Sequence, residues 1–124
     1  MENKRPVNLD LTQFKFPLPA LTSIAHRITG VMLFVGLVFL MYGLDLSLSS
    51  EQGFAEAKAL FDNALVKFII WGVVSALLYH LVAGVKHLIM DLGVGETIEG
   101  GKLGAQITIV LSVVLIVLAG VWIW

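Results

Sequence analysis

Three long apolar stretches separated by short polar segments set the pattern of this chain. No formally charged side chain occurs from Ile28 to Leu44, from Phe68 to Val85 or from Leu103 to Trp124. A helix that crosses a bilayer needs roughly 17 to 25 predominantly apolar residues. The pattern therefore predicts three transmembrane helices, which we place at residues 21–48, 65–92 and 103–124.

The segment before the first span is polar and contains all three prolines of the chain. Pro17 and Pro19 remove backbone donors and restrict the residues that precede them. We therefore expect residues 1–20 to form a leader outside the helix, on the cytoplasmic side of the membrane. Thr22 or Ser23 is then placed to cap the first span.

The two connections between the spans differ in character. Apolar residues recur at helical spacing from Phe54 to Phe68, which predicts a short interfacial helix with Ser49 and Gln52 as its capping pair. The second connection, Asp91 to Gly101, contains four glycines and is expected to form a tight turn.

Composition agrees with a membrane protein. Of the 124 residues, 58% are hydrophobic and 14% are charged, so we interpret the chain as a single integral membrane domain of the all-α class. The absence of cysteine excludes disulfides and any iron–sulfur cluster ligated by this chain alone. The pair Gly93 and Gly95 lacks the third glycine of a dinucleotide fingerprint, so no nucleotide cofactor site is predicted. No nucleic-acid partner is expected either.

Lysine and arginine are distributed unequally between the two sides of the spans, and such residues concentrate on the cytoplasmic side. One side carries Lys4, Arg5, Lys15, Arg27, Lys86 and Lys102. The other side carries Lys58 and Lys67. This predicts a cytoplasmic N-terminus and a C-terminus outside. The aromatic residues expected at the outer boundary are Tyr42, Trp71, Trp122 and Trp124.

His80 is the first candidate for chemistry, because an imidazole within the uncharged second span is costly. Every fourth position around it carries a small residue, at Gly72, Ala76 and Gly84. These small side chains make a trough that contains the His80 imidazole as one possible metal ligand. One interpretation is a helix-packing seam with His80 hydrogen-bonded across it. The other is a flat macrocycle in the trough, with His80 as axial ligand of its iron and Gly84 leaving room for the ring.

His87 shares that face but lies roughly 10.5 Å further along the axis, at 1.5 Å per residue, so the two histidines cannot bind one iron. No other histidine is expected at membrane depth, and a second axial ligand must therefore come from another polypeptide. Two roles are open for His87 and Lys86: an interfacial pair, or contact with haem carboxylates.

A polar group also marks the start of the first span. Ser23, His26 and Arg27 are spaced by three and four residues, which predicts that they share one helix face at the membrane edge. Quinone reduction needs such donors, because negative charge develops on the carbonyl oxygens before protons arrive. The group is a candidate site for a carboxylate or a quinone oxygen. The alternative for Arg27 is an anchor that snorkels to the interface.

Two separated stretches resemble the signatures of the cytochrome b subunit of succinate dehydrogenase, the larger of that complex's two membrane anchors. The first comprises Arg5-Pro6-Val7, Leu11, Leu18 and Ser23 to Thr29, and the second runs from His80 to His87 and on through Met90 to Gly93. The resemblance spans essentially the whole chain. Lys86 departs from it, because the family usually has arginine there; the charge is kept but the bidentate contact of an arginine is not.

The resemblance implies a haem site and a quinone site. It implies that His80 is the axial ligand of haem b, with the iron completed by a histidine of the smaller anchor. It implies that His26 and Arg27 lie near the haem carboxylates, and His87 remains a further candidate haem-binding residue. The residues expected at the ubiquinone site are Ser23, Ile24 and Arg27.

The resemblance further implies a membrane anchor in the multi-subunit helix bundle of respiratory complex II, in a bacterial cytoplasmic (inner) membrane. The expected partners are the smaller anchor, an iron–sulfur subunit and a flavoprotein that oxidises succinate in the tricarboxylic acid cycle, together with membrane lipids. This chain is expected to carry no succinate-oxidising site. Two alternatives are an anchor of a quinol–fumarate reductase, which runs the chemistry in reverse, and a purely structural membrane adaptor without a cofactor.

Overall fold

Three long helices and one short helix make up the computed structural model, which describes residues 17–124. In chain order they are α1 (Leu18–Ser49), α2 (Glu51–Leu60), α3 (Ala64–Asp91) and α4 (Ile98–Ile123). Helices α1, α3 and α4 are each long and apolar enough to cross a membrane. The predicted all-α fold with three membrane-spanning helices is confirmed.

Helix α1 begins within the segment expected to be a leader. Pro17 occupies the N-cap position and Pro19 lies in the first turn, so residues 18–20 are helical. The first N–H groups of a helix have no intrahelical acceptor, so a proline there removes no hydrogen bond that the helix makes. No side chain caps this end, and the Thr22 hydroxyl instead donates to the Pro19 carbonyl at 2.9 Å. Residues 1–16 of the leader, including Arg5-Pro6-Val7 and Leu11 of the first family-like stretch, lie outside the described residues.

The cap of α2 is one residue later than expected. Ser50 is the N-cap and accepts a hydrogen bond from Gly53 N at 2.8 Å. Ser50 has the extended backbone that an N-cap requires, whereas Ser49 still belongs to α1. Gln52 donates to Glu56 within α2 instead of completing a capping pair.

Helix α4 starts inside the predicted second turn, so the last two glycines of that segment are helical. Thr97 provides the N-cap, because its hydroxyl accepts from Gly100 N at 3.0 Å. The turn is limited to residues 92–97. Within it, Gly93 (φ 88°) and Gly95 (φ 72°) adopt the left-handed backbone that favours glycine.

Helix α3 packs against both α1 and α4, and small side chains fill the contacts. The buried side chains of α3 and α4 are Ala76, Ala83, Ala105, Thr108 and Ser112. Large apolar side chains point outward, as Phe34 and Val38 do on α1. Membrane helices associate through close packing of small residues, because lipid already solvates the large apolar ones. The exposed apolar faces are therefore suited to lipid or to neighbouring subunits.

Two glycines set how closely the helices approach. A Cβ at Gly36 of α1 would lie 3.0 Å from a Val73 methyl of α3, and one at Gly120 of α4 would lie 3.1 Å from the Trp71 indole. Trp71 Nε1 also donates to the Ile116 carbonyl at 2.9 Å. Trp71 is thus a half-buried packing residue, whereas the other three aromatic residues expected at the outer boundary are exposed.

We expect Gly36→Leu to destabilise the helix bundle, because the new side chain has to displace Val73. The matched control is Gly43→Leu on the same helix, where an added Cβ meets nothing within 4 Å. Overpacking of this kind costs about 1–3 kcal/mol. Denaturant unfolding in detergent micelles measures the difference, and equal free energies of unfolding for the two variants would contradict the close α1–α3 contact.

Candidate functional site

His80 lies within α3 and its ring faces α1. Its Nδ1 is 3.0 Å from the His26 carbonyl oxygen and 3.2 Å from Thr29 Oγ1. Thr29 donates its own hydroxyl proton to the same carbonyl at 2.9 Å. A carbonyl oxygen can only accept, so we assign the ring proton to Nδ1, which donates to His26 O. Nε2 is then the nitrogen that keeps its lone pair.

The His26 imidazole stacks on the His80 ring. The ring centroids are 3.9 Å apart and the planes are inclined by 10°. Two glycines make room for this pair: a Cβ at Gly30 would lie 3.2 Å from His80 Cε1, and one at Gly84 would lie 3.4 Å from His26 Nε2. The pair therefore occupies a gap between α1 and α3 that larger side chains would close.

The small-residue trough of α3 is filled in part by α1. Ala76 is buried, with 4% of its surface exposed, and Gly84 accommodates the His26 ring. At Gly72, an added Cβ would meet nothing within 4 Å. On the face that α1 covers, the His26 ring takes the room that Gly84 leaves. The hydrogen bond that joins the helices uses Nδ1 of His80 and so does not engage Nε2.

The predicted polar cluster at the start of α1 is divided between two faces. His26 is half-buried against α3, whereas Ser23 and Arg27 are exposed. Ile24 is 40% exposed and lies beside Arg27 on the outward side. Consecutive residues are about 100° apart around a helix with 3.6 residues per turn. His26 and Arg27 therefore point in different directions, and the three polar residues have different surroundings: α3 covers His26 and leaves Ser23 and Arg27 open.

Thr22 is a junction between the helices. It is almost fully buried, with 2% exposed, and its carbonyl accepts a hydrogen bond from Tyr79 Oη at 2.8 Å. Lys86 Nζ donates to Thr22 Oγ1 at 3.4 Å. The Lys86 stem also passes Gly104 of α4, where an added Cβ would lie 3.4 Å from Lys86 Cδ. Lys86 thus connects all three long helices, while its neighbour His87 is exposed.

Sequence reasoning missed the residues that hold His80 in place. Thr29 and Gly30 were not assigned roles, although they follow His26 by three and four residues and so lie on its helix face. Tyr79 carried no signal, because its contact depends on how α1 and α3 cross. Within residues 17–124, no group of three or more His, Cys, Asp or Glu side chains is arranged to hold a metal ion.

Comparison with known proteins gives consistent matches. Residues 1–119 match the family model described as succinate dehydrogenase/fumarate reductase transmembrane subunit. The succinate dehydrogenase cytochrome b556 subunit of Coxiella burnetii is 46% identical over the full length of both chains. That of Paracoccus denitrificans is 40% identical, covering 92% of this chain and 88% of the relative. The mitochondrial cytochrome b560 subunit of Sus scrofa is 33% identical, covering 90% of this chain and 67% of the relative.

The geometry predicts which nitrogen of His80 carries the proton. With the His26 carbonyl 3.0 Å away, the neutral ring is expected as the Nδ1–H tautomer. Nitrogen-15 chemical shifts of histidine-labelled protein in micelles measure the tautomer, and the exposed His87 serves as an internal reference. An Nε2–H tautomer at His80 would contradict the assigned hydrogen bond.

Proposed function

The chain belongs to the succinate dehydrogenase/fumarate reductase transmembrane subunit family, and on that premise we propose that it binds haem b and ubiquinone and carries electrons from succinate to quinone. Membership in this family and three spanning helices make it a multi-pass membrane subunit of the succinate dehydrogenase cytochrome b type. The haem, the quinone and the docking of the other subunits are the finer parts of the proposal.

The hydrogen bond from His80 Nδ1 to the His26 carbonyl is the observation that carries the haem assignment. Histidines that ligate a metal commonly donate their second ring N–H to a carbonyl or carboxylate, which fixes the tautomer and the ring orientation. His80 has this arrangement, and Nε2 is the nitrogen available for an axial bond. A bound haem b would supply a one-electron carrier. The second axial ligand would be a histidine of the smaller anchor.

The residues proposed near the haem carboxylates lie at different distances from His80. His26 stacks directly on the His80 ring, so it would border any macrocycle held there. Arg27 and His87 are exposed and can turn towards a carboxylate outside the three-helix bundle. Lys86, where the family usually has arginine, is engaged with Thr22. Cationic contact with the carboxylates is therefore assigned to Arg27, with His26 and His87 as further hydrogen-bonding groups.

The outward face at the start of α1 is the proposed ubiquinone site. Ser23 and Arg27 are exposed hydrogen-bond donors one helical turn apart, and Ile24 adds apolar surface beside them. Donors placed where negative charge develops on a quinone oxygen favour its reduction. Since this face is open in the single chain, partner subunits would complete the site.

The proposed complex contains the smaller anchor, an iron–sulfur subunit and a flavoprotein. The flavoprotein would oxidise succinate, and this chain would hold no succinate-oxidising site. In this proposal the N-terminus and the Ser23–Arg27 face lie on the cytoplasmic side of a bacterial inner membrane, with the C-terminus outside, and the distribution of lysine and arginine supports this orientation. The iron–sulfur subunit would then deliver electrons from the cytoplasmic side.

A purely structural adaptor is a second candidate, because the structure has the feature that it requires. The His80–His26 hydrogen bond crosses a seam of small residues, and such a seam holds helices together without any cofactor. The absorption spectrum of the purified complex separates the two functions. A Soret band agrees with the haem proposal, and its absence would favour the adaptor.

His80→Ala is expected to remove most of the haem absorbance of the assembled complex or to shift its spectrum and reduction potential, because the axial nitrogen is lost. The matched control is His87→Ala, which removes an exposed imidazole two turns away and should leave axial ligation intact. Optical redox titration measures both variants. Unchanged ligation and potential in His80→Ala would show that the ligand assignment is wrong.

Arg27→Ala is expected to lower the rate of quinone reduction roughly 10²-fold, as the loss of one preorganised donor does in other active sites, and Ser23→Ala should lower it less. Succinate oxidation with an artificial dye should be unaffected, because that reaction does not use the quinone site. Lys102→Ala is the control, since it removes an exposed cation elsewhere on the same side. Equal losses in the two assays would indicate misassembly and contradict the quinone assignment.

A further inference from the structure

We propose that Thr22 and Tyr79 are positioning residues for quinone reduction. Their hydrogen bond inside the bundle fixes the rotation of the first turns of α1. That rotation decides where the donor groups of Ser23 and Arg27 lie on the outward face. The inference rests on the proposed quinone site, and it adds two residues that act from the opposite side of the helix.

Thr22 is the buried residue at this end of α1. The other buried residue of the helix, Gly36, lies about 21 Å further along the axis. No side chain caps the N-terminus of α1, because Pro17 occupies the N-cap position. Among residues 17–124, the contacts of Thr22 with α3 therefore hold the first turn of α1 in place.

Two side chains of α3 converge on Thr22. Tyr79 Oη donates to its carbonyl at 2.8 Å, and Lys86 Nζ donates to its hydroxyl at 3.4 Å. The hydroxyl itself donates to the Pro19 carbonyl at 2.9 Å. Tyr79 and Lys86 are seven residues apart, which is about 10.5 Å along the axis of α3. Bonds from two separated points of a neighbouring helix resist rotation of α1 better than one contact does.

The donors of the proposed quinone site rotate together with Thr22. Ser23 and Arg27 are exposed, and they lie about 100° and 140° around α1 from it. Groups at the helix surface are about 5–6 Å from the axis, so a rotation of about 10° moves them by about 1 Å. A misplacement of about 1 Å in an active site can lower the rate roughly 10²-fold. The inward bonds of Thr22 therefore act on a coordinate to which quinone reduction is sensitive.

Thr22→Val tests the positioning role, because valine keeps the shape of threonine and lacks the hydroxyl. In the assembled complex, kcat for quinone reduction should fall roughly tenfold. KM should change little, since the misplaced donors act on charge that develops in the transition state. Thr22→Ser keeps the hydroxyl and should retain most of the rate. A residue that only fills space would give the opposite order, because serine removes a buried methyl group.

Tyr79→Phe removes the other bond and should lower kcat in the same way, so the test stands if a Thr22 variant fails to assemble. The matched controls are Thr108→Val and Tyr42→Phe. Thr108 is also buried, but its hydroxyl donates within α4 to the Gly104 carbonyl. Tyr42 is exposed in the second half of α1. Both controls should leave quinone reduction unchanged, and succinate oxidation with an artificial dye should be unchanged in all four variants.

The same substitution in a Ser23→Ala Arg27→Ala background shows whether Thr22 acts through these donors. Thr22→Val should then lower the remaining rate less than about twofold, because effects that share one route are not additive. A second tenfold loss in this background would overturn the positioning role, since Thr22 would then act elsewhere.

The remaining outcomes separate this inference from the quinone proposal. Normal quinone reduction in Thr22→Val and Tyr79→Phe, together with a loss in Arg27→Ala, would overturn the positioning role and leave the quinone site standing. Equal losses of quinone reduction and dye-coupled oxidation in both variants would make the two residues structural and also overturn it. Normal rates in both Ser23→Ala and Arg27→Ala would overturn the quinone site and this inference with it.

Discussion

The hydrogen bond between His80 of α3 and the His26 carbonyl of α1 is the contact on which the arrangement of the site depends. It crosses the seam between two membrane-spanning helices and fixes the His80 ring at Nδ1. Thr29 lies beside this bond, because its hydroxyl donates to the same carbonyl and its oxygen contacts His80 Nδ1. In hydrocarbon, where water offers no competing partner, such a bond makes an otherwise costly imidazole compatible with the bilayer. It also decides which nitrogen remains for chemistry.

Close approach of the helices makes this bond geometrically available. Gly30 and Gly84 leave space for the stacked imidazoles, and Gly36 lets Val73 settle against α1. Helix α4 also has a glycine at a close contact, because Gly120 leaves space for the Trp71 indole. The bundle is therefore held by small residues and a few polar bonds, while most large apolar side chains remain on the outside. An anchor subunit that has to meet partner helices and lipid needs such an exterior.

The division of α1 into two faces separates two proposed functions on one helical turn. His26 turns inward to the His80 ring, and Arg27, its neighbour in sequence, turns outward with Ser23. A haem and a quinone that used these residues would lie on adjacent sides of α1, and Arg27, which is proposed for both, would lie beside each of them. Thr22 ties this turn to Tyr79 and Lys86, so the outward donors rest on a turn of α1 that is fixed from the inside.

The sequence by itself determined the all-α class, the three spans and the unusual place of His80, because bilayer thickness and the cost of burying charge act on each span separately. Helix periodicity also grouped Ser23 with Arg27, but it did not determine which way their face points. The start of α1 at Leu18 and the cap at Thr97 were missed, since local rules for proline and glycine do not fix where a helix begins. Only the tertiary structure paired His80 with His26 and Thr29. Contacts between residues about fifty positions apart depend on helix crossing and rotation, which the packing of small residues decides.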